Sequence, residues 1–289
     1  MTLLSIFANS MFGQNLTEEI AKKACNCVEK DTSTSMDSKV TNCISTVIAS
    51  DMQNNAKDMF DIQKLRQRLF DIKVKVYSSC EFVVLAQQKA RENIYQGSKS
   101  DKAMQEFRKG NEFLLKNEYA KALPFFHKAV EQDSNFIEAL DHIALCYRRT
   151  NDLTKAETYY KQSIKVEPKG QTAIQNLAIV YSNQNKPQQA IEQYQALLTV
   201  DMSNPEGYFG IARILVENNS GLDKALDLTN SAINIYTITK DPNLKDGLLI
   251  KGLIYYFTDD KKNAKKCLEE AKSKGAEIPA EIIKKLKIK

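Results

Sequence analysis

A 34-residue period begins at Ala103 and returns in phase at Ile137 and Gln171, and it constrains this chain more than any other feature. Laid against each other, the three blocks keep the same positions small. Position 8 is Gly110, Ala144 and Ala178, and position 20 is Ala122, Ala156 and Ala190. Aromatic residues recur beside them: position 11 is Phe113, Tyr147 and Tyr181, and position 24 is Phe126, Tyr160 and Tyr194. Small residues at 8 and 20 allow two antiparallel helices to approach closely, and the rings fill the space alongside. One such helix pair cannot bury its apolar face alone, so the period predicts a stack in which neighbours share a continuous core.

A fourth block from Pro205 keeps Ala212 at position 8. It needs one extra residue in its turn at Asn218-Asn219-Ser220-Gly221, after which Ala225 and Ala232 occupy positions 20 and 27. A loop around Thr239–Leu244, with Pro242, precedes a fifth block near Lys245–Ile278, where Gly252, Ala264 and Ala271 recover positions 8, 20 and 27. Pro168 falls at position 32 of the second block, and Pro279 is placed to open a final helix over 279–289. This pattern resembles the tetratricopeptide repeat, whose signature has small residues at 8, 20 and 27, nearby aromatics and Pro at 32. The resemblance covers residues 103–278. It implies an all-α fold, a right-handed α-α superhelix with 279–289 as a capping helix.

The resemblance also implies where a partner would sit. In this family the first helix of each repeat lines a concave groove, and positions 2, 5, 9 and 12 face it. Those positions give Phe107, Asn111 and Leu114, then Asp141, Leu145 and Arg148, then Gln175, Ile179 and Ser182. The last two repeats give Phe209, Arg213 and Val216, and Leu249, Leu253 and Tyr256. Such a wall can hold a protein or peptide by burying a few apolar side chains, with Arg148 and Arg213 fixing register on a carboxylate. Family members that clamp a terminal carboxylate use Lys at 5 and Asn at 9, then Asn at 6, then Lys at 2 and Arg at 6. Here Asn111 fits, but Phe107, His142, Thr172 and Asn176 stand at the other four positions, so that clamp is not expected.

Catalysis is not expected either. The chain has two histidines, no phosphate-binding glycine loop and no His-Glu-x-x-His. His127 falls on a helix face predicted to be exposed. His142 faces the groove without an aligned Cys or Ser. No cofactor is implied. The net charge of +5 is mild and concentrated at Lys261–Lys289, with ten lysines against four glutamates. That tail lacks interleaved aromatics, so it reads as a solvated cap and not as a nucleic-acid surface. No apolar run approaches the ~20 residues of a membrane span.

Residues 15–97 form a different unit, with helices expected near Asn15–Lys30, Asp37–Met52 and Asn55–Gln96. Asn15 and Glu18 could cap the first. Ile62, Leu65, Leu69, Ile72 and Val76 mark the apolar seam of the third. Cys25, Cys27, Cys43 and Cys80 all lie here, in a unit short of core. Cys25 and Cys27 on one helix point about 200° apart, so each is expected to pair with Cys43 or Cys80, in either order. Zinc fits less well, because Cys43 and Cys80 do not form a second close pair and no His is near. Cys146 and Cys267, several repeats apart, are expected to be packing residues.

The first fourteen residues carry a short apolar core, Leu3-Leu4-Ser5-Ile6-Phe7-Ala8, then small and polar residues up to Gln14. They read as the remnant of a secretory signal peptide, although no Lys or Arg precedes the core, which would place the start upstream. A packed or free tail is the other reading. The expectation is therefore a non-catalytic peptide-binding scaffold in the periplasm or outside the cell. Two alternatives stand beside it: an N-terminal unit that carries the specific activity, as inhibitor or envelope-assembly factor, and a cytoplasmic adaptor.

Overall fold

The computed structural model describes residues 17–31, 35–52, 62–91 and 97–288, and every element in them is helical. The expectations for Met1–Gln14 and for the Asn15 cap lie outside these residues. So do the parts of the third expected helix at 53–61 and 92–96. The N-terminal unit contains α1 (17–28), α2 (Met36–Met52), α3 (Ile62–Ser79) and α4 (Glu81–Arg91). The repeats follow as pairs: α5 (Asp101–Leu114) with α6 (Tyr119–Gln132), α7 (Ile137–Arg149) with α8 (Leu153–Val166), and α9 (Gln171–Asn183) with α10 (Pro187–Val200). The last two pairs are α11 (Pro205–Glu217) with α12 (Leu222–Thr239) and α13 (Leu244–Phe257) with α14 (Lys261–Ser273). The chain closes on α15 (Ala280–Leu286).

The small positions do what their spacing requires. Ala122, Ala144, Ala156, Ala178, Ala190, Ala212, Ala225 and Ala264 are fully buried between paired helices. Position 24 is buried in every repeat, as Phe126, Tyr160, Tyr194, Thr229 and Leu268. Each turn between paired helices passes through a left-handed residue at position 15: Asn117, Asn151, Asn185, Asn219 and Asp259. Asn and Asp tolerate this conformation better than other residues with a Cβ. The turn then closes with a hydrogen bond from the following N–H back to position 11, as in Glu118 to Phe113 and Asp152 to Tyr147. The extra residue of the fourth repeat supplies a second left-handed position, Gly221, next to α12.

First helices of successive repeats touch each other (α7 to α9, α9 to α11, α11 to α13), and no comparable contact joins successive second helices. The stack therefore curves with its first helices inside. The α15 cap lays Ile282, Leu286 and Ile288 over Leu268 and over Leu249, Leu253 and Tyr256 of the last repeat.

The N-terminal unit is a small core of Ile20, Ala24, Val28, Val40, Ile44, Ile72 and Val76. It is tied by Cys25–Cys80 and Cys27–Cys43, each with Cα atoms 5.6 Å apart. The expected long third helix is interrupted at Cys80. The hydroxyls of Ser78 and Ser79 both turn back to the Lys75 carbonyl, at 3.5 and 2.5 Å, a competition that bends helices. The seam then turns Ile72 and Val76 inward and leaves Leu69 at the surface.

This unit is seated on the repeats. Val84 joins Tyr208, Ala232, Ile235 and Tyr236, and Met202 packs on the unit's own core. The Ser203 hydroxyl donates to the Tyr77 carbonyl at 2.7 Å. Arg91 pairs with Asp201, whose side chain is 2 % exposed, and donates to the Ser203 carbonyl at 2.5 Å. The linker then crosses the first inter-repeat turn, where the Gly97 N–H donates to Glu138 at 2.7 Å and Ser98 bonds Asp133. Ser100 caps α5.

Candidate functional site

The concave wall is built by the inner faces of α5, α7, α9, α11 and α13. Phe107, Asn111, Leu114, Leu145, Arg148, Gln175, Ile179, Ser182, Phe209 and Arg213 stand on it half-buried. Asp141 and Val216, 5 % and 6 % exposed, are set into the wall instead. Leu249, Leu253 and Tyr256 lie under the cap, and the Lys285 ammonium sits 5.8 Å from the Tyr256 ring centre. The open wall thus runs from the first repeat to the fourth.

Its first end is aromatic. Phe107 packs against Phe126, Phe136 and His142, and its ring stacks on that of His142 at 5.0 Å with planes 7° apart. Burial pushes His142 down to about 4, so the ring is neutral at ordinary pH. The stacked pair occupies two positions where a terminal-carboxylate clamp would need Lys and Asn. Nearby, Asn176 donates to its own helix at Thr172. His127, predicted exposed, is instead half-buried: its Nε2 lies 3.3 Å from the Tyr147 hydroxyl and its ring packs on Tyr159. It is drawn in because position 25 of the first repeat meets positions 11 and 23 of the next.

The middle of the wall is polar, and many of its buried atoms lack partners. Asn111 Oδ1 and His142 Nδ1 toward the first end, and Ser182 Oγ and the Nε atoms of Arg148 and Arg213 further along, are buried without a hydrogen-bond partner, while the Tyr160 hydroxyl lies against the Arg148 side chain. Native proteins leave few such groups. Beyond this stretch, Gln175, Glu206, Asp241 and Arg91 line a cavity of about 260 Å³ between the wall and the N-terminal unit. Glu206 accepts from the Tyr236 hydroxyl at 2.6 Å, and burial raises its carboxyl above the usual range. Phe209 packs on Tyr236 in the cluster that holds Val84, so α4 supports a groove residue from behind.

The period located the inner wall but missed what stands behind it. Asp201 repeats the acidic position 31 of Asp133 and Glu167, but nothing periodic marks Arg91 or Ser203. The hydroxyls of Tyr160 and Tyr194 come from second helices, which the groove positions do not count. Cys146 is fully buried, with its thiol pushed up to about 12 by desolvation, and Cys267 is half-buried; both are free thiols. Among the described residues no group of His, Cys, Asp and Glu is gathered as a metal site, and no helix is long and apolar enough to cross a membrane.

Comparison with known proteins fits this geometry. Family patterns described as tetratricopeptide repeat match residues 137–169, 173–206 and 246–273. Residues 137–206 and 246–273 thus carry tetratricopeptide repeats, the helix-pair units of α-α solenoids. Stress-induced-phosphoprotein 1 of Caenorhabditis elegans is 27% identical over 143 residues, which are 50% of this chain and 45% of that protein. The chain thus spans under half the length of that relative. Two solved structures share the fold at low identity. MamA (residues 41 to the end) of Desulfovibrio magneticus RS-1 has a TM-score of 0.53 and 16% identity, over 61% of this chain and 96% of that one. Pseudomonas aeruginosa PilF has a TM-score of 0.54 and 12% identity, over 68% and 82%.

Proposed function

We propose that this protein is a non-catalytic scaffold that holds an extended peptide or protein segment in its concave groove, in an oxidising compartment outside the cytoplasm. The observation that carries the groove reading is the run of half-buried apolar side chains, Phe107, Leu114, Leu145, Ile179 and Phe209, interleaved with buried polar atoms that lack partners. Each apolar side chain that a partner finishes burying contributes up to roughly 1.5–3 kcal/mol, and the polar atoms supply register. The two disulfides support the compartment, since such bonds persist in secreted and periplasmic proteins.

A photo-crosslinking side chain at Ile179 tests the groove in the native host, with the same group at Gln195 on the exposed second-helix face as the control. A discrete adduct at Ile179 that weakens with Phe209→Ala supports the reading. Adducts only at Gln195 would remove it. Intact mass with and without reduction, after alkylation, tests the compartment: four thiols that label only after reduction are expected.

A second reading places the specific activity on the N-terminal unit. It is favoured by Phe70, Phe82 and Leu85, three large apolar side chains exposed on α3 and α4. A crosslinker at Leu85 separates the two, because the groove reading leaves it without an adduct.

A further inference from the structure

Resting on the groove reading, we propose that the cavity beside Gln175 is a subsite for a cationic side chain, lysine or arginine, carried by the partner. The cavity, about 260 Å³, lies where the starts of α9 and α11 meet the end of α4. Gln171 and Gln175 come to it from α9, Pro205 and Glu206 from α11, and Asp241 from the turn after α12. Small-molecule sites usually measure roughly 300–1,000 Å³, so this one suits a single side chain. Gln175 belongs to the open wall as well, so a segment lying in the groove reaches the cavity there.

The charges in the lining select the ligand. Glu206 and Asp241 bring one carboxylate each, and neither has a cation within ion-pair distance among the described residues. Glu206 accepts from the Tyr236 hydroxyl at 2.6 Å and Asp241 from the Asn243 N–H at 2.8 Å. Both donors are neutral, so the carboxylate charges stay uncompensated. The cation that shares the lining, Arg91, is spent elsewhere: it pairs with the buried Asp201 and donates to the Ser203 carbonyl. Arg213, the cation of α11, pairs with Glu217. The starts of α9 and α11 each add a partial positive charge of about half a unit, which the two carboxylates outweigh by about one charge. An anion is thereby repelled and a cation attracted. A metal ion fits poorly, because no group of three or more His, Cys, Asp or Glu is gathered among the described residues. The rim is held in place by Asn204, which donates to Gln171 at 2.7 Å and accepts from the Glu206 N–H at 3.0 Å. Pro205 adds apolar surface that a methylene stem can cover while its ammonium or guanidinium reaches the carboxylates.

The test uses the full-length oxidised protein, with ¹³C at the glutamate carboxyls and ¹⁵N at the glutamine amides. It is titrated at constant ionic strength with n-butylammonium, with n-propylguanidinium and, as the neutral counterpart, with n-butanol. The Glu206 carboxyl and Gln175 amide resonances are expected to move together along one saturation curve with either cation, and to stay still with n-butanol. Burial holds the Glu206 carboxyl above the usual range, so a bound cation should also lower its titration midpoint. Glu206→Gln can still accept from Tyr236 and should weaken binding at least about tenfold, read at Gln175. Asp241→Asn should weaken it as well, and Glu269→Gln, on α14 outside the lining, should leave it unchanged. Tighter n-butylammonium binding would name lysine as the side chain, and tighter n-propylguanidinium binding arginine. Resonances that do not saturate, that move equally with n-butanol, or that respond undiminished in both Glu206→Gln and Asp241→Asn would overturn the subsite. Crosslinking at Ile179 could still succeed in that case, so failure of the subsite is distinguishable from failure of the groove.

Discussion

Gly210 offers a sharp test of how the third and fourth repeats fit together. It lies in α11 opposite Tyr194, and a Cβ added there would stand 2.2 Å from the ring Cζ and 2.4 Å from both Cε atoms. Carbon atoms in contact normally lie about 3.5–4.0 Å apart, so ring or helix must move by more than ~1 Å. The ring has little room to withdraw: Tyr194 is 3% exposed and shares its cluster with Leu177, Leu197, Ile211 and Ile214. Overpacking of this kind costs about 1–3 kcal/mol, and the depth of overlap argues for the upper end. Replacing glycine by alanine inside a helix returns about 1 kcal/mol. Gly210→Ala should therefore destabilise the repeats by about 2 kcal/mol, read by urea unfolding of the oxidised full-length protein, with faster amide exchange in α11. In a Tyr194→Ala background the obstructing ring is gone, and the same substitution should become neutral or stabilising by up to about 1 kcal/mol. A Gly210→Ala protein that is more stable than its parent while Tyr194 is intact would refute this account of the interface.

Three further outcomes follow from other contacts. Arg91→Ala leaves the buried Asp201 carboxylate without its cation and should cost about 3–5 kcal/mol at the seat of the N-terminal unit; a loss under about 1 kcal/mol, with Tyr77 still protected from exchange, would be inconsistent with it. The chain-entropy account gives about 4 kcal/mol for Cys25–Cys80, which spans 55 residues, and about 3 kcal/mol for Cys27–Cys43, which spans 16, so paired Cys→Ser variants should rank in that order in thermal unfolding. His142, held down at about 4 by burial, must take up a proton on unfolding below its ordinary value of 6.5. Its contribution is fully present above pH 6.5 and is lost as pH falls toward 4, by no more than about 3 kcal/mol; His142→Phe should flatten that slope, and an NMR titration midpoint near 6.5 would contradict the burial.

Much of the fold was legible because the period is carried by residues whose size alone decides the packing. Gly110, Ala144 and Ala178 can be read as close approaches without knowing what approaches them. The left-handed position is equally legible, since Asn recurs at 117, 151, 185 and 219, but it lies outside the apolar phase that defines the repeat. The fourth repeat was harder. Thr229 replaces the aromatic of position 24, and Gly207 and Gly210 make room for Leu198 and Tyr194 of the repeat before. The inner wall could be laid out by position, but its chemistry could not. Whether Arg148 has a partner depends on how neighbouring repeats turn, and whether Asp141 lines the groove or sinks into it depends on a few degrees of helix rotation. The seat of the N-terminal unit left no trace, because Tyr77, Arg91, Asp201 and Ser203 meet only in three dimensions.

The linker between α4 and α5 is anchored at both ends, at Arg91 and at Gly97, and this has a mechanical consequence. Arg91 is fastened to the turn before α11, and Gly97 is fastened at Glu138 just after the turn before α7. Five residues lie between Arg91 and Gly97, so their Cα atoms can stand at most about 22 Å apart. Two turns that lie two repeats apart are therefore joined by a tether of fixed maximum length, like the string of a bow. A solenoid without such a string can uncoil gradually when pulled or when it accommodates a bulky ligand. This one can open only until the string is taut, after which an anchor must break.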